Sequence, residues 1–347
     1  MADHRQGEPH PLVVMDELQK LLDSRGLGEG ACRVRSLGDG NSNYTFLVER
    51  HGWRGVLRRP PRPPYAPKAH DVLREAEILS ALAPTAAPVP GLVATVEQSD
   101  IMDVPFVIMD LVDGHVVSTD VPQAWDGPAG RREVGSAAVD ALVSIHSVDW
   151  RRSGLGHLGR PEGYLERQIR RFDAMWSELD QGDIPAMGSI KRWLDLNLPV
   201  SQDVALVHGD YRLGNIMLGS TPSGGVAAVL DWELSTLGDP LADLGYFLAN
   251  WSDPDDAPAG VLDFAPVTRQ PGFLRRADLV ELYSARSGRP AESIRWYTVL
   301  AMWKSVVIGE NVRARAASGA SAPTLGDMGD AASRLADRAT QMIAEQP

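Results

Sequence analysis

The order of apolar and polar positions divides this chain into a strand-rich first third and a helix-rich remainder. Residues 13–25 place Val14, Leu18, Leu21 and Leu22 at helical spacing and then meet Gly26 and Gly28, which predicts one short amphipathic helix. From Arg33 to Arg59 the pattern changes to short runs, RVRSL, NYTFLVE and GVLRR, separated by GDGNS and RHGWR; this predicts three antiparallel strands. After the proline-rich RRPPRPPYAP, Val72, Ala76, Leu79 and Leu82 share one face of a helix. LVATVE and PFVIMDLV read as two further strands before the turn at Asp113 and Gly114.

From Arg131 onward helical spacing dominates, as in RREVGSAAVDALVSIHSV and GYLERQIRRFDAMWSEL. Two strand-like runs, VALVHGD and VAAVLDW, interrupt it, and the Ala, Ser and Gly-rich residues 316–322 read as a loop. The change of pattern sets a boundary near residues 110–116. The expected fold is α+β, with an antiparallel sheet and one packed helix in residues 1–112 and a mainly helical region in residues 113–347.

Composition narrows the function classes. With 347 residues, 44% hydrophobic and 23% charged, the chain can bury a real core and is neither disordered nor fibrous. The net charge of −12 argues against a general nucleic-acid binder, which needs concentrated Lys and Arg. A single cysteine, Cys32, excludes an internal disulfide and cysteine metal clusters. The start lacks a basic region followed by an apolar one, and no apolar run is long enough to span a bilayer, so a cytoplasmic protein without a membrane partner is expected.

The strongest chemical signal is LVHGDYRLGNIML, residues 206–218. Asp210 can accept the proton of a substrate hydroxyl, and five residues later the Asn215 amide oxygen can ligate Mg²⁺ without adding charge. The next apolar run delivers Asp231, then Trp232 and Glu233, and the Asp231 carboxylate at the strand end can bridge a metal held over nucleotide phosphates. There is no H-E-x-x-H zinc motif and no G-x-S-x-G nucleophile elbow.

HGD-x4-N followed by D-x-E resembles the aminoglycoside phosphotransferase and choline kinase superfamily, relatives of the protein kinases. It is especially similar to the branch fused to acyl-CoA dehydrogenases, through GDGNSNYTFLVE, VLRRPP, REAEILSAL, FVIMDLVDG and LSTLGDPLADLGY. The resemblance implies a bilobal protein-kinase-like fold with a nucleotide-binding first lobe and a catalytic, substrate-binding second lobe. It implies Asp210 as base, Asn215 and Asp231 on Mg²⁺ with Glu233 in support, and ATP or GTP as phosphoryl donor.

The same resemblance makes Gly40, Asn41, Ser42 and Asn43 part of a phosphate-covering loop, where small residues allow close backbone approach. The family's nucleotide lysine is replaced by Arg58, which keeps the charge and can grip phosphate with two donors. Its acidic partner is expected on the following helix, at Glu75 ahead of Glu77. The Asp110 carbonyl and Val112 amide are expected to hold the adenine, with Met109 bordering it. His208 is expected to hold the catalytic loop, and Asp239 and Asp243 to cap or brace.

Arg212, Arg295 and Trp303 are the substrate-side candidates. Between Arg275 and Arg315 eight basic residues face four acids, against the sign of the whole chain. A polycationic aminoglycoside would call for carboxylates instead, so an anionic or acyl-carrying hydroxyl compound such as a hydroxyacyl-CoA is the favoured acceptor. A nucleotide-binding pseudokinase and an antibiotic-modifying kinase are the alternatives.

Overall fold

A computed structural model describes residues 12–37, 43–63, 70–97, 102–179, 184–201, 203–317 and 329–345. The chain divides into two compact units. The first comprises Met1–Thr85, Val89–Asp113 and Asp231–Glu233, and the second Ala86–Pro88, Gly114–Leu230 and Leu234–Pro347.

The first unit runs α1 (Met15–Ser24), β1 (Glu29–Ser36), β2 (Tyr44–His51), β3 (Trp53–Arg59), α2 (Val72–Leu82), β4 (Leu92–Val96) and β5 (Phe106–Asp110). The strands form one antiparallel sheet in the order β1-β2-β3-β5-β4. The tight turn between β2 and β3 uses Gly52 at φ +76°, a conformation that costs glycine little. Asp71 caps α2 by accepting the Arg74 N–H at 3.0 Å.

Successive strand residues face opposite sides of the sheet. Phe106 and Ile108 of β5 pack with Leu18, Leu22 and Phe46 on one side, while Val107 and Met109 pack with Val72 and Ala76 on the other. Burial on both faces is why FVIM reads as an unbroken apolar run. The register also aims a charge: Arg58 lies opposite Val107 and therefore faces α2.

The second unit contains β6 (His115–Val116), α3 (Pro128–His146), α4 (Tyr164–Glu178), α5 (Ala186–Leu196), β7 (Ala205–Val207), β8 (Ile216–Leu218), β9 (Val226–Val229) and β10 (Thr236–Gly238). α6 (Leu241–Ala249), α7 (Arg276–Ser287), α8 (Ile294–Ala317) and α9 (Gly329–Ala344) follow. β6, β8 and β9 form one small antiparallel sheet, and β7 pairs with β10. α8 is the central helix, apolar around most of its circumference. Its Val299, Leu300, Trp303 and Val306 join Leu165, Ile169, Ile190 and Ala336 of α4, α5 and α9 in one core. Each fully buried Val, Leu or Ile side chain among them contributes on the order of 1.5–3 kcal/mol relative to exposure.

Of the loop expected at residues 316–322, Ala316 and Ala317 instead belong to α8; residues 318–322 lie outside the described residues. No helix among the described residues is long and apolar enough to cross a membrane.

Candidate active site

In the second unit, β7 delivers His208 and the turn that follows. Gly209 takes φ +86°, and a Cβ there would stand 2.6 Å from the Leu234 carbonyl oxygen, so both conformation and space require glycine. The turn is held from below by Asp243 in the first turn of α6. Its two carboxylate oxygens accept the His208 N–H at 2.6 Å and the Gly209 N–H at 2.8 Å.

Asp243 is fully buried, so its charge needs compensation. His146 Nε2 lies 3.3 Å from Asp243, and His146 Nδ1 is 2.8 Å from the Tyr283 hydroxyl. Burial alone would raise the Asp243 carboxyl, yet the His146 and His208 rings and the loop amide hold it below the ordinary carboxylate value. The His208 ring is itself committed. Nδ1 accepts the Asp210 N–H at 3.3 Å, which leaves Nε2 to donate to the Leu230 carbonyl at 3.0 Å.

Asp210 is partly exposed and closely held. The Asn215 amide donates to its Oδ2 at 2.7 Å and to its carbonyl at 2.8 Å, because a short turn over Leu213–Asn215 folds Asn215 back onto it. Arg212 Nε is 3.3 Å from Oδ1, and burial, with the Asp210 carboxylate beside it, holds the Tyr246 hydroxyl well above its ordinary value. With its N–H₂ spent on Asp210, Asn215 keeps its amide oxygen, a neutral hard ligand. Arg212 also lies 5.1 Å from the Phe264 ring centroid.

In the first unit, Arg58 meets three carboxylates. Its Nη2 is 2.7 Å from Asp231 Oδ1 and 3.9 Å from Glu233 Oε2, and its Nε is 3.1 Å from Glu75 Oε2. Glu75 also accepts the Trp232 N–H at 3.4 Å. Asn43 donates to Glu233 at 3.4 Å, and Arg74 donates to the Glu233 carbonyl at 3.0 Å. Asp231 adopts φ +68°, a strained value for a residue other than glycine.

Burial shapes this cluster. It pushes Glu75 up to about 7, with Asp231 and Glu233 adding to the rise and Arg58 opposing it. Burial would depress Arg58, but Glu75, Asp231 and Glu233 hold it above its ordinary value. Three carboxylates around one guanidinium retain negative charge, and the Asn43 Oδ1 is buried with no hydrogen-bond partner among the described residues. Oxygen donors with spare charge suit a hard divalent cation. Among the described residues no group of three or more His, Cys, Asp and Glu side chains forms a metal cage by itself.

Met109 lies in the sheet–α2 core, Asp110 is exposed with its N–H on the Gly91 carbonyl at 2.8 Å, and Val112 follows β5. Gly40, Asn41 and Ser42 lie outside the described residues. Arg295 donates to the Glu345 carbonyl at 2.6 Å, and Trp303 is buried in the helical core. Sequence reasoning did not single out His146 or Tyr246. Nothing local marks them, since each acts on a residue far away in the chain.

The profile of the phosphotransferase enzyme family matches residues 33–270. The chain belongs to this family. Acyl-CoA dehydrogenase family member 11 of Gallus gallus is 34% identical over 294 residues, which cover 82% of this chain and 37% of that protein. The chain thus spans about a third of the length of the curated relatives it matches. The crystal structure of a candidate aminoglycoside phosphotransferase from Ralstonia eutropha is 30% identical, with a TM-score of 0.74 over 94% of this chain and 95% of that one. An aminoglycoside phosphotransferase solved with AMP-PNP and hygromycin B has a TM-score of 0.60 at 16% identity, covers 95% of this chain and 99% of its own, and supports the fold alone. The family's kinase-like α+β fold accounts for the antiparallel first sheet and the helical second unit.

Proposed function

We propose that this chain transfers the γ-phosphoryl group of ATP or GTP to a hydroxyl of a small molecule that carries an acyl or anionic group, such as a hydroxyacyl-CoA. The observation that carries the reading is Asp210: a carboxylate aimed by Asn215 at 2.7 Å, on a turn whose amides are held by a buried Asp243. A base fixed in this way spends little entropy on alignment when the acceptor arrives.

Asp210 takes the acceptor O–H proton as the acceptor oxygen forms its bond to the γ-phosphorus. The bond from that phosphorus to the bridging β–γ oxygen breaks, and the nucleoside diphosphate leaves with the electron pair. Asn215 and Asp231, with Glu233 in support, would hold Mg²⁺, which when bound offsets phosphate charge. Residues 1–112 serve the nucleotide, through Arg58 with Glu75, the Gly40–Asn43 loop and the Met109, Asp110 and Val112 segment. Residues 113–347 serve catalysis and the acceptor.

The test is a Mg²⁺- and nucleotide-dependent screen of hydroxyacyl-CoAs, aminoglycosides and amino alcohols, read by the mass gain of one phosphoryl group. Phosphorylation of a hydroxyacyl-CoA, with kcat about a thousandfold lower in Asp210→Ala, supports the reading. No product in any arm, or full activity in Asp210→Ala, overturns it.

A further inference from the structure

The stretch from Arg275 to Arg315 is basic as a sequence, but most of that charge is neutralised within the second unit. Arg276, Arg286, Arg289 and Arg313 each lie within 3.0 Å of a carboxylate oxygen. Lys304 differs. Its ammonium donates to Gln168 Oε1 at 3.0 Å, stands 4.8 Å from the Phe172 ring centroid, and forms no ion pair with a described residue.

An amine placed this way is costly. Burial, with Arg171 nearby, pushes it down to about 8, against the opposing pull of Asp243 and Asp210. A lysine has three donors, and Gln168 uses one of them.

The location gives the spare donors a use. Lys304 and Gln168 line a cavity with Gly209 and Tyr246, and this places it beside the base: Gly209 immediately precedes Asp210, and the Asp210 charge is felt at the Tyr246 hydroxyl. The free volume of about 20 Å³ admits one oxygen-sized group and no sugar ring or diphosphate.

We propose that Lys304, oriented by Gln168, is the specificity-determining contact for one oxygen of a carboxyl-derived group on the acceptor, either a free carboxylate or a thioester carbonyl. This rests on the reading of Asp210 as the base for an acceptor hydroxyl and names the second point at which that acceptor is held. A lysine contact made equally before and during transfer acts on KM rather than on kcat.

The experiment uses the full chain with Mg²⁺ and nucleotide and three probes of one carbon skeleton: 3-hydroxybutyrate, its CoA thioester and 1,3-butanediol. Lys304→Met is expected to raise KM at least tenfold for the preferred carboxyl-derived probe, with kcat within about threefold, and to leave the diol's KM unchanged. Lys304→Arg should restore part of the loss, and Gln168→Leu should reproduce it in weaker form. The acid or the thioester, whichever loses more, identifies the source of the oxygen. Equal shifts for all three probes, or none, overturn the proposal.

Acetylation of Lys304 by acetic anhydride, read by peptide mass with and without each probe, decides the matter independently of turnover and of whether Lys304→Met folds. Protection by the acid or thioester but not by the diol sustains the subsite, even if no probe is phosphorylated and the kinase reading fails. No selective protection overturns it.

Discussion

The turn around Asp210 and the cluster around Arg58 handle buried charge in opposite ways. In the second unit one carboxylate, Asp243, has its oxygens occupied by two backbone amides and a histidine. In the first unit three carboxylates share one guanidinium, and the buried Asn43 Oδ1 has no hydrogen-bond partner among the described residues. The difference teaches a division of labour. A satisfied network holds a geometry, whereas an excess of like charge in low dielectric attracts an opposite one.

The largest effect is expected where the satisfied network is broken. Asp243→Asn must set an amide N–H₂ against one of the two loop N–H groups and leaves His146 without its carboxylate. We expect a loss of about 3 kcal/mol in chemical denaturation, with kcat down roughly a hundredfold. Unchanged stability would mean that the loop holds itself.

Arg58→Met strips the second cluster of its cation, and a loss of about 2 kcal/mol is expected, smaller because Asp231 and Glu233 can reach solvent. Added Mg²⁺ should recover part of this in a melting experiment, since a dication supplies the missing charge. A variant as destabilised as Asp243→Asn and indifferent to Mg²⁺ would erase the contrast between the regions.

Glu75→Gln sharpens the comparison through pH. An unfolded glutamate loses its proton near 4.5, whereas burial keeps the proton in the folded chain until about 7. The folded state therefore binds more protons between these values, and the group's contribution to stability, greatest below 4.5, is lost as pH rises to 7. The melting temperature of Glu75→Gln in metal-free buffer should thus gain on the parent between pH 4.5 and 7 and run parallel above. Parallel curves throughout would count against a buried acid. At the small end, Arg334→Ala removes an exposed pair with Asp330 at 3.4 Å and should cost about 0.3 kcal/mol, a baseline for the rest.

Much of the fold was legible because burial is periodic. Strand-like runs set between turn residues marked β2 and β3, helical spacing marked α2, and an unbroken run marked β5, buried on both faces. The two- and three-residue strands β6 and β10 were not legible, being too short to hold a period. The candidate site divides likewise. Asp210, Asn215 and Asp231 stand out through their spacing, and the family resemblance pairs Arg58 with Glu75 on the following helix; the two lie 3.1 Å apart. The basic excess after Arg275 was counted without Asp140, Asp203 and Asp256, which offset part of it and lie outside that window.

The amino-acid sequence by itself determined the change from a strand-rich first third to a helix-rich remainder, the residues able to move a proton or ligate a hard cation, and the kinship they imply. Each depends on side-chain chemistry and on neighbours within a few positions. Tertiary structure alone decided that Asp231–Glu233 join the first compact unit, that His146 compensates Asp243, and that Lys304 keeps spare donors. These outcomes turn on which charges lose water together, and desolvation is settled by segments that meet only when the chain has folded.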